Sequence, residues 1–257
     1  MDQGHERAGA AQGKVAMVVG ASRGLGQGIA QAFVDAGAKV VTVSRSPVPA
    51  PTRGDGPSCV EIADAAAESI SSSLLERHDP DIVVLVAGAV PPIGTLLEQT
   101  WDTFSANWDA DVRIAFHWLQ AVLRKPLKPG ARVVVVSSGA AIGGSPLSGG
   151  YAGAKATQLV IAQYAQDEAR RANLDITIST VLPRFAPDTG VGAPAVRAYA
   201  ERAGVGVPEY LETFQRSFGP LVTPDGAGDA IIALATGPAA DAAPAYLLTG
   251  AGLQKLG

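Results

Sequence analysis

The sequence predicts a single doubly wound α/β domain, in which helices flank both faces of a central parallel sheet of about seven strands. Its 257 residues suit one such domain with a sizeable core, and 47% of them are hydrophobic. Short β-branched runs alternate with helix-like segments along the chain. The runs are almost continuously apolar, as expected for the strands of a parallel sheet that is covered on both sides.

Seven runs are predicted to be strands, and five segments between them are predicted to be helices. The strands cover residues 15–19, 40–43, 59–62, 82–86, 133–136, 176–181 and 245–248. The helices cover residues 25–36, 70–77, 100–123, 152–172 and 227–236. One irregular insertion, from Phe185 to Phe218, follows the sixth predicted strand, at the sheet edge where such folds bind ligands. We predict that it is a substrate lid at about residues 185–219.

Composition limits the function classes. The chain has 20 Lys+Arg and 24 Asp+Glu, a net charge of −4, and no run of basic residues. We therefore expect neither a nucleic-acid partner nor a membrane partner. Because Cys59 is the single cysteine and there are 3 His, we expect a cytoplasmic location and no metal site. Residues 1–13 lack an apolar segment and are predicted to be a disordered tail rather than a signal peptide.

A glycine-rich turn, Gly20-Ala21-Ser22-Arg23-Gly24-Leu25-Gly26, follows the first predicted strand and opens the first predicted helix. Glycines permit a tight turn and a close approach of the backbone to phosphate, and a helix N-terminus favours an anion. The turn therefore predicts dinucleotide binding, and the alternative is a plain strand-to-helix turn. The predicted contacts are Gly20, Ser22, Arg23, Gly24, Leu25 and Gly26.

The second predicted strand is followed by Ser44 and Arg45, at the place where an acidic residue binds the ribose 2′-hydroxyl of NAD in related folds. Arg45 and Arg23 could instead bind a 2′-phosphate through charge-assisted hydrogen bonds. The sequence therefore favours NADP(H), with NAD(H) possible. The alternative is that both arginines are solvated surface charges.

Tyr151 and Lys155 lie four residues apart at the start of a predicted helix, shortly after a strand that runs into Ser137-Ser138. This spacing places the phenol and the ammonium on one helix face. A nearby cation favours the phenolate, which suits a general acid or base.

With these motifs in this order, the chain resembles the classical short-chain dehydrogenase/reductase family over nearly all of residues 14–253. The glycine turn is similar to the family's Thr-Gly-x-x-x-Gly-x-Gly motif, with Val19 where Thr is usual. Asp64 resembles the family's adenine-binding Asp, and Ala87-Gly88 resembles the end of the Asn-Asn-Ala-Gly motif.

Ser138, Tyr151 and Lys155 match the family's catalytic Ser and Tyr-x-x-x-Lys. The resemblance implies that Tyr151 exchanges a proton with a carbonyl oxygen and that Ser138 hydrogen-bonds the same oxygen. Lys155 is expected to favour the phenolate and to hold the nicotinamide ribose. The resemblance also implies a homodimer or homotetramer that pairs through the helices of residues 100–123 and 152–172, and it implies no metal.

One departure from the family pattern lies in the catalytic set. The family's fourth catalytic residue, an Asn, corresponds by register to Asp111, and Asn107 is a weaker candidate. Asp111 could accept a hydrogen bond from a water linked to Lys155, or it could be a solvated helix residue.

Two further departures affect the predicted cofactor site. Leu85 and Val86 occupy both Asn positions of the Asn-Asn-Ala-Gly motif, so packing must replace side-chain hydrogen bonds there. The family's Pro-Gly reads Pro183-Arg184. Pro183 is a predicted cofactor contact, whereas Arg184 could contact a cofactor phosphate, a polar substrate group or solvent.

Other conspicuous residues have ordinary interpretations. An apolar stripe at helical spacing predicts core packing or, within a lid, a pocket for an apolar or aromatic ketone. The stripe consists of Tyr210, Leu211, Phe214 and Phe218. His117 is predicted to be a packing or interface residue, and Cys59 is predicted to be a small buried one.

Two functions remain open. The leading hypothesis is an NADP-dependent carbonyl reductase, or an alcohol dehydrogenase in reverse, acting on a neutral hydrophobic or cyclic ketone. Apart from Arg184 and Arg197, the lid has little that could hold an anionic substrate. The alternative is a catalytically weak dinucleotide-binding regulatory or interaction protein on the same fold, which Asp111 and the Leu85-Val86 pair suggest.

Overall fold

Eight strands form one sheet in the computed structural model, which describes residues 9–47, 59–125 and 127–256. They are β1 (Val15–Val19), β2 (Lys39–Ser44), β3 (Cys59–Ile62), β4 (Ile82–Leu85), β5 (Ala131–Val136), β6 (Ile176–Pro183), β7 (Ala245–Thr249) and β8 (Gly252–Leu256). Their order is β3-β2-β1-β4-β5-β6-β7-β8, and every pairing is parallel except that of β7 with β8. The predicted doubly wound fold is confirmed, and the seven predicted strands are all present.

The eighth strand was not predicted because it is not a continuous apolar run. β8 pairs antiparallel at the edge of the sheet, and two of its five residues are exposed. The sequence of a strand with one solvated face is a mixture of polar and apolar residues.

Nine α-helices lie in the described part of the chain. They are α1 (Gly24–Asp35), α2 (Glu68–His78), α3 (Trp101–Asn107), α4 (Arg113–Arg124), α5 (Ala140–Gly143), α6 (Gly149–Arg171), α7 (Gly192–Ala203), α8 (Val207–Phe218) and α9 (Pro224–Thr236). A π-helical turn, Trp108–Val112, joins α3 to α4. A short 3₁₀ turn, Ala239–Asp241, precedes β7.

Two predictions about helices need correction. The predicted single helix over residues 100–123 is divided by the π-helical turn, which no Pro or Gly marks in the sequence. The insertion at 185–218 is not irregular, because α7 and α8 make up most of it. Its Gly and Pro residues stand at helix ends: Pro208 opens α8, and Gly204 and Gly219 follow α7 and α8.

Helices cover the sheet on both faces. α1 and α9 pack on one face, against residues such as Val18 of β1, while α2, α4 and α6 pack on the other, against residues such as Met17. Successive side chains of a strand point to opposite faces. A strand between two helix layers is therefore apolar at every position, which explains the continuous runs of the sequence.

The sequence predicts that the packed domain starts at Lys14, but in the structure it starts earlier. Ala11 is fully buried, and its N–H donates to the carbonyl of Ala36 at 3.0 Å. Residues 9–13 therefore do not belong to a disordered tail, and residues 1–8 of that predicted tail lie outside the described residues. Among the helices that the structure describes, none is long and apolar enough to cross a membrane.

Strand order determines where a ligand can bind. The chain moves outward from β1 to β2 and β3, then returns to place β4 on the other side of β1. The connections after β1 and β4 thus leave the sheet on either side of one gap, at the carboxyl ends of the strands. Ligands of doubly wound folds bind in this crevice.

Candidate active site

A cleft of about 740 Å³ opens at the carboxyl edge of the sheet. This volume lies within the usual range for small-molecule sites, about 300–1,000 Å³. Every residue that the sequence predicts for the site lines the cleft. They are Gly20, Ser22, Arg23, Gly24, Leu25, Gly26, Ser44, Arg45, Asp64, Ala87, Gly88, Asp111, Ser138, Tyr151, Lys155 and Pro183. The structure brings them together, while their roles stay predictions.

The glycine turn is shaped by close contact with the end of β4. Gly20 has φ +98°, and a Cβ there would lie 2.5 Å from the backbone nitrogen of Ala87. A residue with a side chain would meet both left-handed strain and a steric clash at this position. The turn and the end of β4 can form one wall of the cleft because Gly20 has no side chain.

The N-terminus of α1 is free to bind an anion. Its N-cap residue, Arg23, makes no side-chain capping hydrogen bond, and the first turn of the helix has no acidic residue. Gly24, Leu25 and Gly26 line the cleft from this end. Backbone N–H groups without side-chain partners and a positive helix-dipole end suit a pyrophosphate, so the turn fits the predicted dinucleotide.

The candidate 2′-phosphate end of the cleft carries two exposed arginines. Arg45 directly follows β2, Arg23 lies in the glycine turn, and neither has an acidic partner among the described residues. Ser44 is buried and its hydroxyl donates to the carbonyl of Ser46 at 2.7 Å, so it supports the backbone beside Arg45. Asp64 is exposed on the cleft, where its carboxylate accepts from the backbone N–H of Ala66 at 3.1 Å.

The strongest electrostatic feature of the cleft is a buried ion pair. Lys155 Nζ lies 3.1 Å from Asp111 Oδ2, and the two side chains are 6% and 1% exposed. Burial by itself lowers the pKa of Lys155, but attraction by Asp111 and then by Tyr151 outweighs it, and the pKa rises above its ordinary value of 10.5. Asp111 therefore contacts Lys155 directly, rather than through the predicted water, and is not a solvated helix residue.

Polar groups from three elements hold this ion pair. Asp111 Oδ1 accepts from the backbone N–H of Ala89 at 2.8 Å and from Asn107 Nδ2 at 3.3 Å. Gln158 accepts from Lys155 Nζ at 3.0 Å and donates to the Asp111 carbonyl at 2.8 Å. Such hydrogen bonds help a buried pair to be tolerated. Asp111 Oδ2 and Asn107 Oδ1 have no hydrogen-bond partner among the described residues, so Oδ2 depends on the charge of Lys155.

The sequence does not single out Gln158 as a site residue, although its spacing from Lys155 is a usable signal. It lies three residues after Lys155, so it shares the face of α6 that carries Lys155. It is also a buried polar residue, 3% exposed, and such residues normally have hydrogen-bond partners. Asn107, considered as a substitute for Asp111, instead supports it, because Asn107 Nδ2 also donates to the Ala89 carbonyl at 3.0 Å.

Gly88 is required by the aspartate at position 111. A Cβ on Gly88 would lie 2.7 to 2.9 Å from the three carboxyl-group atoms of Asp111. The π-helical turn that carries Asp111 lies against the loop after β4, and π-helical turns are frequent at functional sites. Leu85 is buried in the apolar cluster on one face of the sheet, and Val86 packs against the cluster on the other face, so apolar packing stands where the family has amides.

Tyr151 and Lys155 share one face of α6, as the spacing predicts. Lys155 Nζ lies 5.5 Å from the centre of the Tyr151 ring. Ser138 is nearly buried after β5, and its hydroxyl accepts from the N–H of Ala140 at 3.2 Å. The neighbouring Ser137 donates to the carbonyl of Lys155 at 2.8 Å, which ties α6 to the end of β5.

Contacts of Tyr199 and Thr189 attach the 185–219 segment to the rest of the site. The Tyr199 hydroxyl lies 2.7 Å from Ser145 Oγ and accepts from the Leu147 N–H at 3.2 Å, which links α7 to the loop before α6. A Cβ on Gly24 would lie 3.3 Å from Thr189 Cβ, so the start of the segment lies over the glycine turn.

The two arginines considered for the lid differ in position. The Arg184 guanidinium lies 4.6 Å from the centre of the Phe218 ring and lines the cleft. Arg197 is exposed and does not line the cleft, so it is not placed to hold a substrate there.

His117 and Cys59 lie outside the cleft. The His117 ring packs edge-on against Phe116, with 5.4 Å between ring centres. Cys59 is half-buried, not fully buried as predicted, because β3 is an edge strand. Its sulfur belongs to the one group of possible metal-donor atoms found in the described residues, with Glu61 and His78. Glu61 is already engaged there, by Arg77 at 3.0 Å and by His78 at 2.7 Å.

Sequence comparison finds relatives of one kind. A family model described as short chain dehydrogenase matches residues 14–198. The 3-oxoacyl-[acyl-carrier-protein] reductase FabG of Vibrio cholerae is 30% identical over 184 residues, covering 68% of this chain and 74% of the relative. Short chain dehydrogenase/reductase AacuD of Aspergillus aculeatus is 32% identical over 165 residues, covering 59% of this chain. The chain spans 57% of the length of AacuD and 63% of that of a Pseudocercospora fijiensis short chain dehydrogenase.

Solved structures share the fold along most of their length. A 3-oxoacyl (acyl-carrier-protein) reductase from Agrobacterium tumefaciens C58 with NADP bound has a TM-score of 0.74 at 23% identity, covering 97% of both chains. An NADP-bound protein from Beutenbergia cavernae, described as a putative NAD(P) dependent gluconate 5-dehydrogenase, has a TM-score of 0.77 at 21% identity. It covers 93% of this chain and 96% of its own.

We predict that Asp111→Leu lowers the free energy of unfolding by about 3–5 kcal/mol at neutral pH, because it leaves Lys155 buried without a counter-ion. Asp111→Asn should cost less, since its amide oxygen can still accept from Ala89. Urea unfolding measures both, with Asp109→Asn as the control. That exposed carboxylate pairs with Arg113 at the surface, so its loss should cost less than about 1 kcal/mol. Equal losses for Asp111→Leu and Asp109→Asn would contradict the prediction.

The same pair predicts a pH dependence. Because the folded-state pKa of Lys155 is raised, the stabilisation is fully present below pH 10.5 and is lost as pH rises through the raised pKa. The stability difference between the wild type and Asp111→Leu should therefore be constant near neutral pH and shrink in alkali.

Proposed function

The chain belongs to the classical short-chain dehydrogenase/reductase family, and on that basis we propose that it is an NADP-dependent carbonyl reductase, or an alcohol dehydrogenase in reverse. The proposed substrate is a neutral hydrophobic or cyclic ketone. One observation carries this proposal: Ser138, Tyr151 and Lys155 line the same cleft as the glycine turn. A proton donor and a dinucleotide-binding turn therefore open onto one space.

The residues of the cleft have separate tasks in the proposed reaction. Ser138 donates a hydrogen bond to the carbonyl oxygen and stabilises the charge that develops on it. Tyr151 gives its proton to that oxygen as the C=O π bond breaks, and it regains a proton from solvent afterwards. When bound, the nicotinamide supplies the hydride that the carbonyl carbon receives. In the oxidising direction Tyr151 takes the proton back.

Lys155 stays positively charged beside Tyr151 at neutral pH, because attraction by Asp111 raises its pKa. An ammonium has three N–H donors. Asp111 and Gln158 occupy two directions around it, which leaves one donor for a ribose hydroxyl of the cofactor. Asp111 and Gln158 thus act as positioning residues, since they act through Lys155.

NADP is the preferred cofactor in this proposal. Arg23 and Arg45 line the cleft without acidic partners in the described residues, and they would bind the 2′-phosphate. Two structural neighbours were solved with NADP bound, which supports a nicotinamide dinucleotide here. Asp64 would bind the adenine, and Ala87, Gly88 and Pro183 would contact the cofactor.

We also propose a homo-oligomer, a dimer or tetramer, in a reducing compartment such as the cytoplasm. Several large apolar side chains of α3, α4 and α6 are exposed: Trp101 is 75% exposed, Phe116 49% and Tyr164 62%. These exposed residues lie on the helices through which the family is expected to pair, and this supports an interaction surface there. Cys59 has no second cysteine to pair with, which suits a reducing environment.

One specific observation favours the alternative function, a dinucleotide-binding regulatory or interaction protein. Asp111 places a negative charge beside Lys155, where the family has an uncharged amide. Tight NADPH binding without turnover of any carbonyl compound would favour this alternative.

We predict that Tyr151→Phe lowers kcat for NADPH-dependent ketone reduction by about 10²–10⁴-fold, because the variant has no proton to donate. NADPH affinity should be unchanged. The rate is measured as NADPH oxidation over a panel of ketones. Tyr164→Phe is the matched control, since Tyr164 lies on the same helix but outside the cleft. Equal rates for the wild type and Tyr151→Phe would overturn the assigned mechanism.

Arg45→Asp tests cofactor preference. We expect the ratio of kcat/KM for NADPH to that for NADH to fall by about tenfold or more, because one charged hydrogen-bond donor becomes a repelling carboxylate. Arg124→Asp, outside the cleft, makes the same charge change and should leave the ratio as it is. An unchanged ratio in Arg45→Asp would show that the 2′-phosphate is held elsewhere.

Analytical ultracentrifugation tests the assembly. We expect the wild type to sediment as a dimer or tetramer and Phe116→Arg to shift it toward smaller species, because the variant places a charge on the proposed contact face. Ile62→Arg is the control, since Ile62 is also exposed but lies on β3. A monomeric wild type would disprove the proposed assembly.

A further inference from the structure

One face of α8 consists of aromatic residues and lies on the cleft. Tyr210, Phe214 and Phe218 are spaced four residues apart, so they share a helix face. All three line the cleft, whereas Leu211, the fourth residue of the predicted stripe, does not. No residue of α8 is fully buried. The stripe is therefore not core packing, because the surface that would cover it belongs to the cleft.

Two further rings extend this face. Phe185 lies 4.6 Å from Phe214 and 6.4 Å from Tyr210 between ring centres, and Phe214 lies 4.8 Å from Phe218. Tyr199 stacks on Tyr210 at 6.4 Å. We call these five residues, Phe185, Tyr199, Tyr210, Phe214 and Phe218, the aromatic wall. All five line the same cleft as Tyr151.

Charge is almost absent from this side of the cleft. Residues 184–219 include eight charged side chains, of which Arg184 alone lines the cleft. The Arg184 guanidinium lies over the Phe218 ring, so its charge faces an aromatic ring of the wall. Burial, with the nearby Tyr199, raises the pKa of Tyr210, so its phenol stays uncharged at neutral pH. An uncharged ligand is therefore favoured.

From the aromatic wall we infer that the substrate is a planar aromatic ketone with two fused rings. One ring is aromatic, and the carbonyl carbon is either a member of the second ring or attached to it. This inference rests on the proposed carbonyl reduction and names its substrate class. Ring faces and ring edges attract other aromatic rings in offset or edge-to-face arrangements, beyond the effect of buried area. A saturated or linear substrate would gain only the apolar burial. Five rings that line the same cleft as the candidate proton donor thus favour an aromatic ring over an alkyl chain.

Relatives suggest a competing substrate class, which the tests include. FabG of Vibrio cholerae is named a 3-oxoacyl-[acyl-carrier-protein] reductase, so its name gives a 3-oxoacyl group on a carrier protein as its substrate. A linear 3-oxoacyl thioester has no ring to pack against the aromatic wall. Preference for that class would overturn the inference and leave carbonyl reduction intact.

Equilibrium binding tests the inference without requiring turnover. The probes are 2-naphthol and decahydro-2-naphthol, which share a bicyclic framework and one hydroxyl. The saturated rings bury at least as much apolar surface as the aromatic rings, so burial of apolar area alone gives 2-naphthol no advantage. With NADP-saturated protein in a calorimeter, we expect 2-naphthol to bind about tenfold more tightly, because its ring can pack against the aromatic wall. Equal affinities, or tighter binding of the saturated alcohol, would overturn the inference.

A variant then locates the effect. Phe214→Leu keeps an apolar side chain but removes a ring that touches two others, so the preference for 2-naphthol should fall about fivefold or more. Gln215→Ala, on the exposed side of α8 and outside the cleft, should keep the full preference. A preference that survives in Phe214→Leu would place the aromatic ligand away from the wall.

Turnover separates this inference from the proposed function. With NADPH, we expect a higher kcat/KM for 2-tetralone than for 2-decalone or an acetoacetyl thioester, and Phe214→Leu should lower kcat/KM for 2-tetralone alone. Reduction of all three at similar rates would keep the proposed function and contradict the inference. No reduction of any ketone would overturn the proposed function, and the binding ratio would still decide whether the wall selects aromatic ligands.

Discussion

The buried ion pair between Lys155 and Asp111 is the interaction on which the rest of the site depends. Two charges removed from water cost several kcal/mol each unless hydrogen bonds compensate them. Compensation here comes from the backbone after β4, from Asn107 and from Gln158 on α6. Because the partners belong to separate elements, the pair fixes the π-helical turn, the β4 loop and α6 relative to one another. Tyr151, one turn before Lys155, is positioned by the same constraint.

The order of the strands is the second constraint, since it gathers residues that are far apart in the chain. β1 lies between β2 and β4, so the turns that follow these strands meet at one edge of the sheet. The cofactor turn, the ion pair and the aromatic wall therefore open onto a single cleft. Its two ends differ in chemistry: exposed arginines stand near the glycine turn, and uncharged rings stand on α8. The cleft thus offers different chemistry at its two ends to the proposed polyanionic cofactor and the proposed neutral substrate.

Much of this arrangement could be predicted from the sequence, where local chemistry dominates. The seven predicted strands follow from short, mostly apolar runs, and the glycine turn follows from its glycines. The edge strand β8 could not be found in the same way, because one side of it is solvated. The helices of residues 185–219 were hidden by Gly and Pro residues that stand at their ends. Asp111 was located by register, but its direct contact with Lys155 depends on a turn that no local residue marks.

The sequence by itself determined the doubly wound fold, the family and the residues that line the cleft, because period, turn chemistry and motif order are local properties of the chain. Tertiary structure alone decided how those residues meet. It placed Asp111 against Gly88, recruited Gln158 to the ammonium and turned the stripe of α8 toward the cleft instead of the core. Apart from the three-residue spacing of Lys155 and Gln158, these outcomes depend on contacts between segments that are distant in the chain, and side-chain spacing along one segment does not specify such contacts.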